Sequence, residues 1–188
     1  MLINNETIIK DNDPILRQPS QPVALPLSQE DRELLQEMFQ YVVDSIDEQK
    51  AEEFNLRPAV GISAIQLGIP KQLTAIHFED VDKNGNTYIC QFMLANPKIV
   101  SRSAQKAYLE GGEGCLSVVD THEGYVIRSA RIKVHAYDML TDKIVEIRAR
   151  GYAAIVLQHE IDHFSGTLFY DHIDPENPFP EVEGALVI

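Results

Sequence analysis

Apolar residues recur at helical spacing in one stretch near the start of the chain, behind a proline-rich leading segment. The predicted helix begins after Ser28, whose hydroxyl suits an N-cap, and continues to about Ile46. Its apolar positions are Leu34, Leu35, Met38, Phe39, Val42, Val43 and Ile46. This stripe predicts a helix that packs on a core, while the prolines before it predict an extended surface segment.

From residue 72 to residue 147 the pattern changes to short runs of β-branched and aromatic residues, separated by turn-forming residues. The predicted strands are 73–78, 87–94, 98–103, 125–128, 132–137 and 143–148. The segment Lys83-Asn84-Gly85-Asn86 predicts a hairpin turn, because Asn-Gly accepts the positive φ angles that such turns require. We therefore expect a mostly antiparallel sheet region here.

A second helix is predicted from about Arg150 to Phe164, ending near Gly166, and the apolar end at 185–188 suits a short terminal strand. We expect an α+β fold in which mostly antiparallel β-sheets pack around this second, central helix. An N-terminal helix and a C-terminal strand complete it. At 188 residues the chain is interpreted as one domain, 1–188.

Charge and composition exclude several classes of protein. The formal net charge of −13 argues against a nucleic-acid partner, because phosphate-binding surfaces need clustered Lys and Arg. No apolar run approaches the roughly 18 residues of a membrane helix. The first residues, 1–13, resemble no secretory signal. We therefore expect a reduced, cytoplasmic setting in which the two cysteines do not pair.

The candidate chemistry lies at the end of the second helix. His159 and His163 are four residues apart, so both imidazoles project from one helix face and suit a shared metal ion. Glu160 beside them is placed to act as a general acid and base. This pattern predicts a metal-dependent hydrolase.

A catalytic site of this type needs a third protein ligand. One class of metalloprotease places a histidine six residues after the second, but Phe169 stands there. A second class takes a downstream glutamate, which would be Glu183 in a zinc endopeptidase. The prolines just before Glu183 disfavour the helix that would hold it. A non-catalytic metal-binding module would need a closed site of four ligands. The sequence offers only three good ones, which are the two histidines and the cysteine considered next.

Cys115 is the remaining candidate, within a segment that has three glycines in five residues, 110–114 followed by the cysteine. Such a bend lets the backbone approach a ligand closely, and a thiolate there would complete a Cys-His-His set. Cys90 lies inside a predicted strand and is interpreted as a packing residue.

Residues 113–117, Glu-Gly-Cys-Leu-Ser, followed by the His-Glu-x-x-His segment at 159–163, resemble the paired signature of the peptide deformylases. Residues 59–66 resemble a third block of that family, Gly-x-Gly-x-Ala-Ala-x-Gln. Ala59 and Ser63 depart from it, but both are small. The spacing and the β-type tail resemble the branch of Gram-positive bacteria and their relatives.

The resemblance implies a bacterial hydrolase of protein biosynthesis that removes the N-formyl group from formyl-methionyl nascent peptides and releases formate. Cys115, His159 and His163 would be ligands of one Fe(II) per chain, for which nickel, cobalt or zinc substitutes. Glu160 would be the general acid and base. Gln66 and the backbone N–H of Leu116 would hold the formyl oxygen.

The predicted substrate contacts fall into two groups. Side chains expected to line the methionine pocket are Ile62, Tyr152 and Ile155. Main-chain groups expected to pair with an extended peptide are those of Val60, Gly61 and Gly112. We further expect a monomer whose association with the ribosome is weak because the chain is acidic.

Overall fold

The computed structural model describes residues 3–82 and 84–188, and within them it has three α-helices and two β-sheets. The helices are α1 (Gln29–Ser45), α2 (Glu48–Glu53) and α3 (Gly151–Asp162). The strands are β1 (Gly61–Ser63), β2 (Leu73–Val81), β3 (Thr87–Arg102), β4 (Lys106–Tyr108), β5 (Arg128–Ser129), β6 (Arg131–Asp138), β7 (Lys143–Arg150) and β8 (Leu186–Val187). The α+β class is confirmed.

The larger sheet has the strand order β1-β2-β3-β6-β7, and each neighbouring pair is antiparallel. A turn that includes Gly85, with φ +82°, joins β2 to β3 as predicted, although Lys83 of that turn lies outside the described residues. The predicted strands 87–94 and 98–103 are one continuous strand. Its register shifts after Ala95, where Asn96 adopts φ +51°, so the chain bends there without ending the strand.

The smaller sheet has the order β5-β4-β8. The C-terminal strand β8 is present and pairs with β4 in parallel. The predicted strand at 125–128 is wrong except at its last residue, Arg128. Tyr125 instead donates its N–H to the carbonyl of Pro178 in the tail, and Val126 packs beside Cys115, so this segment is extended without joining a ladder.

Helix α1 packs on one face of the larger sheet. The Ser28 hydroxyl accepts a hydrogen bond from the N–H of Asp31 and caps the helix. Buried α1 residues such as Leu35 and Met38 pack with Leu73 and Ala75 of β2. The short helix α2 was not predicted, because it has no buried residue and therefore no apolar stripe.

Helix α3 lies on the opposite face of the larger sheet and also contacts the smaller one. Because side chains alternate along a strand, Ile76 and Phe78 of β2 pack against α3. On its other side, Ile155 packs with Ala107 and Ala130 beside the smaller sheet. A 3-10 turn, His163–Ser165, continues the helix to Gly166. No helix in the described part of the chain combines the length and apolarity that a bilayer span requires.

Candidate active site

The sulfur of Cys115 and the ring nitrogens of His159 and His163 form a cluster in which all three atoms lie within 4.8 Å of one another. His163 follows the last residue of α3, but its backbone stays helical, with φ −54° and ψ −29°, so both rings share a face. The Cys115 sulfur lies 3.6 Å from His163 Nε2. One sulfur and two imidazole nitrogens suit zinc, iron(II), cobalt or nickel.

Glu113 orients the ring of His159. Its Oε2 lies 2.8 Å from His159 Nδ1, so Nδ1 carries the proton and Nε2 is left for a metal ion. Arg128 holds both carboxylate oxygens of Glu113 and also donates to Asp162 at 2.8 Å. The side chains of Glu113 and Arg128 are each only 4 % exposed. This buried network connects the Cys115 loop to α3.

The predictions from sequence did not include Glu113 as a functional residue. The signal was available, because a metal-binding histidine usually donates its second ring N–H to a carboxylate or a carbonyl. Glu113 lies two residues before Cys115, in the same glycine-rich segment. Which of the chain's many carboxylates reaches His159 depends on the tertiary fold.

The two cysteines differ in their electrostatic surroundings. Burial alone would raise the pKa of the Cys115 thiol, but His163 and His159 outweigh it and lower that pKa to about 6. Burial disfavours a charged His159, yet the Cys115 thiolate and Glu113 raise its pKa well above the usual value. Burial, together with the negative charge of Asp80, raises the pKa of the Cys90 thiol to about 11. Cys115 is therefore the thiol prepared to act as a ligand.

Glu160 occupies a narrow space between α3 and β1. A β-carbon at Gly61 would lie 2.6 Å from Glu160 Oε1, so any larger residue at that position would displace the Glu160 side chain. The Ser63 hydroxyl donates to Oε2 at 2.7 Å, and the Thr74 hydroxyl lies 3.4 Å from the same oxygen. The carboxylate is thus held by Oε2, and Glu160 lines a cavity beside the cluster.

Gln66 lies beside the cluster with a fixed amide orientation. Its Oε1 accepts the N–H of Ser63 at 2.8 Å, so its NH2 group faces Ser117 Oγ at 3.2 Å and Cys115 Sγ at 3.5 Å. Leu116 lines the same cavity and its carbonyl accepts from Lys10. In the described chain its N–H has no hydrogen-bond partner.

An apolar cavity of about 340 Å³ opens next to these groups. Val60, Gly61, Tyr152 and Ile155 line it, together with His159 and Glu160. Its remaining wall includes Ile46, Pro58, Ala59, Leu109 and Val156. A small unbranched side chain would be enclosed mainly by aliphatic groups here.

Two of the predicted substrate contacts lie elsewhere. Ile62 is fully buried on the α1 side of β1, because its neighbours Gly61 and Ser63 face Glu160 and strand side chains alternate. The prediction that Ile62 lines the pocket is therefore wrong. Gly112, with φ +76°, lines an adjoining cavity instead, and its N–H already donates to Leu109.

The main-chain groups of β1 are only partly available. The carbonyl of Val60 accepts the N–H of His77 at 3.0 Å, which pairs it with β2. In an antiparallel ladder the next residue, Gly61, directs its N–H and C=O to the other edge. In the order of the sheet β1 is an edge strand, so Gly61 presents main-chain groups towards the cavity it lines.

Glu183 is exposed in the tail and does not belong to the ligand cluster found among the described residues. Prolines and turns occupy the segment before it, and no helix forms there. A zinc endopeptidase that uses Glu183 is not favoured. The fold and the site define a metal-dependent hydrolase with a Cys-His-His ligand set, a neighbouring carboxylate and an apolar cavity.

Comparisons with known proteins identify the family. The family model described as polypeptide deformylase matches residues 5–179. Peptide deformylase 2 of Bacillus subtilis is 46 % identical over 187 residues, which cover 100 % of this chain and 99 % of the relative. A peptide deformylase of Oceanobacillus iheyensis is 48 % identical, over 95 % of this chain and 94 % of its own.

Solved structures agree with these relatives. A class I type b peptide deformylase from Acinetobacter baumannii with Met-Ala-Ser bound has a TM-score of 0.68 at 27 % identity, covering 92 % of this chain and 100 % of its own. The enzyme from Thermotoga maritima has a TM-score of 0.65 at 28 % identity, with coverages of 89 % and 97 %.

The chain belongs to the polypeptide deformylase family. It is a hydrolase of the peptide deformylase type, an enzyme that removes the N-formyl group from nascent peptides. The predicted branch is confirmed as well, because the relatives of 44–48 % identity come mostly from Gram-positive bacteria.

Proposed function

We propose that Cys115, His159 and His163 hold one Fe(II) ion, and that Glu160 serves as general acid and base in deformylation. The observation that carries this proposal is the cluster of three ligand atoms within 4.8 Å, with Glu160 on the wall of the adjoining cavity. When bound, a divalent metal acidifies water and polarises a carbonyl oxygen.

The chain's own groups perform the remaining steps. Glu160 takes a proton from the water that attacks the formyl carbon, and it returns a proton to the amine when the C–N bond breaks. Formate and a free amino terminus result. The NH2 group of Gln66 and the N–H of Leu116 donate to the formyl oxygen, on which negative charge develops.

The apolar cavity is the proposed binding site of the formyl-methionine residue. Val60, Tyr152 and Ile155 would contact the methionine side chain, while the main chain of Gly61 would pair with the extended peptide. Gly112 would act further along the peptide, because it lines the adjoining cavity. The substrate is the formyl-methionyl end of a nascent polypeptide.

The choice of Fe(II) can be tested by oxidation. A thiolate ligand and Fe(II) both react with peroxide, whereas nickel does not undergo the same oxidation readily. We expect protein purified without air to contain one iron per chain and to lose activity in peroxide, with nickel substitution extending its half-life. Equal half-lives of the iron and nickel forms would contradict the assignment.

The remaining proposals concern the oligomeric state, the cellular location and the partners of the protein. We expect a single-domain monomer in the cytoplasm, where its substrate is made, and only weak association with ribosomes because its net charge is −13. Light scattering tests the monomer. Ribosome co-sedimentation at low and physiological salt tests the weak association, and stable binding at physiological salt would contradict it.

The direct test of the activity uses formyl-Met-Ala-Ser and a formyl-free peptide of the same length. We expect stoichiometric formate from the first and no cleavage of internal peptide bonds in either. The zinc endopeptidase alternative predicts cleavage of internal peptide bonds and no release of formate. It also predicts that Glu183→Gln abolishes activity. In the deformylase account Glu183→Gln leaves the rate unchanged, because this side chain is exposed and remote from the ligand cluster.

A further inference from the structure

A second cavity of about 500 Å³ adjoins the apolar cavity. Both are lined by Arg57, Glu113, Gly114 and Cys115, so the two cavities meet along the ligand loop. The second cavity is lined mainly by the loop residues 110–115 and 118–124. Arg57 is neither a member of the ligand cluster nor a partner of Glu160.

Arg57 is the one arginine or lysine that lines either cavity in the described part of the chain. Its backbone is held by the Tyr41 hydroxyl, which donates to the Arg57 carbonyl at 2.9 Å. Its Nη1 donates to the carbonyl of Val118 at 3.1 Å. Guanidinium has five donors, so others remain free, and the side chain is exposed to solvent.

The neighbouring carboxylate does not neutralise this charge. Glu113 is already held on both oxygens by Arg128 and on Oε2 by His159. No ion pair of Arg57 with an acidic group is found within the described residues. An exposed guanidinium that has no acidic partner among the described residues is therefore positioned where the two cavities join.

We propose that Arg57 binds a main-chain carbonyl oxygen of the nascent peptide, beyond the methionine, where the peptide passes from the first cavity to the second. The inference rests on the proposed assignment of the first cavity to formyl-methionine. A main-chain carbonyl is present at every residue, so this contact suits an enzyme whose substrates differ in sequence. The planar guanidinium can donate two N–H groups to such an acceptor while its Nη1 still holds Val118.

A purely structural role for Arg57 would be to hold the Val118 loop. The two roles differ in their dependence on substrate length. Formyl-methionine methylamide ends at the N-methyl group that follows the methionine carbonyl, whereas formyl-Met-Ala-Ser amide extends roughly 7 Å further. Only the longer substrate reaches a contact beyond the methionine, while a distorted loop would affect both.

The experiment compares the metal-loaded wild type with Arg57→Met, which keeps the length of the stem, and Arg57→Lys, which keeps the charge. We expect Arg57→Met to lower kcat/KM for formyl-Met-Ala-Ser amide about tenfold, through KM, while the methylamide changes less than about twofold. Arg57→Lys should fall between wild type and Arg57→Met. Arg148→Met, which removes an equal charge from an exposed site outside both cavities, should match wild type.

Formyl-Met-Ala-Ser with a free carboxylate is assayed in parallel. Three outcomes would overturn the proposal: equal losses on the amide and the methylamide, no loss on either, or a loss seen only with the free carboxylate. The last outcome would mean that Arg57 recognises a terminus that a nascent chain does not present. Failure of the proposed function is distinguishable, since wild type would then release no formate from either substrate. Thermal unfolding of each variant checks that the fold is retained.

Discussion

The ligand cluster and the cavity wall next to it are built in different ways. Each of the groups around the cluster is held by buried polar contacts, as in the pair of Glu113 with His159 and the pair of Ser63 with Glu160. The cavity wall consists mainly of apolar side chains such as Val60 and Ile155, which are positioned by packing against hydrophobic neighbours. We infer that catalysis depends on the orientation of the groups around the ligand cluster, while substrate specificity depends on the shape of the cavity wall.

The largest expected effect is at the proton-transfer group. Glu160→Gln keeps the size of the side chain and its contact with Ser63 but cannot accept the proton. We expect kcat to fall about a thousandfold with metal content unchanged. Assays of formate release and metal analysis on the same sample measure both. Loss of the metal in Glu160→Gln would instead indicate that Glu160 is a metal ligand, which would contradict its proposed role as general acid and base.

Gln66 tests the donors that face the formyl oxygen. Gln66→Leu removes the NH2 group and should lower kcat/KM about a hundredfold, because one donor to a developing negative charge typically contributes that much. Metal content should be retained. Gln66→Glu is the matched control for size, and it should be at least as impaired because it places an acceptor there. Near wild-type kcat/KM for Gln66→Leu would remove Gln66 from the mechanism.

Glu113 tests whether metal binding depends on the orientation of the His159 ring. Glu113→Gln weakens its hold on His159 Nδ1 and should reduce metal affinity about tenfold to a hundredfold. Glu110→Gln, on an exposed residue three positions earlier, is the control and should bind metal like wild type. Dissociation of the metal to a chelator measures the effect. An unchanged rate in Glu113→Gln would show that packing alone orients the ring.

Two buried isoleucines test the wall. Ile155→Ala enlarges the cavity and should raise KM for formyl-methionyl peptides about tenfold. Each of the two substitutions should lower the free energy of unfolding by about 2–5 kcal/mol. Ile62→Ala should nevertheless leave KM unchanged, because Ile62 packs on the α1 side. Michaelis constants at 25 °C and unfolding curves separate the two effects. Equal KM changes would mean that the wall is not a distinct region.

The smallest perturbation is chemical modification of the metal-free protein. Cys115, with a pKa of about 6, is a thiolate above that pH, so its alkylation rate should be half-maximal near pH 6 and constant above about pH 7. Below pH 6 the thiol is protonated and the rate falls. Cys90, with a pKa of about 11, should stay unmodified to pH 9. Mass spectrometry resolves the two sites.

The sequence predicted the ligand cluster better than the cavity, for a physical reason. His159 and His163 share a helix face by spacing alone, and Cys115 stands out within its glycine-rich segment. Ile62 and Ile155 are the same residue type in the sequence. The pairing of β1 with β2 turns Ile62 away from the cavity, whereas the packing of α3 places Ile155 on the cavity wall. The partnership of Glu113 with His159, 46 residues apart, also required the tertiary structure.

The same contrast applies to the fold. The long helices and most strands follow from apolar periodicity, whereas the continuity of β3 depends on Asn96 at positive φ and on contacts with the N-terminal segment. Asn96 exchanges hydrogen bonds with both main-chain groups of Val23. Such long-range contacts leave no periodic signal. The short strand β5 and the exposed helix α2 were likewise unreadable from local pattern.

The central claim is that one metal ion is held by one cysteine and two histidines, and X-ray absorption at the metal edge tests it most directly. For anaerobically purified protein loaded with one zinc per chain, we predict one sulfur scatterer at about 2.3 Å and two imidazole nitrogens at about 2.0–2.1 Å. In Cys115→Ser the sulfur shell should disappear. A wild-type spectrum with no sulfur scatterer would contradict the account.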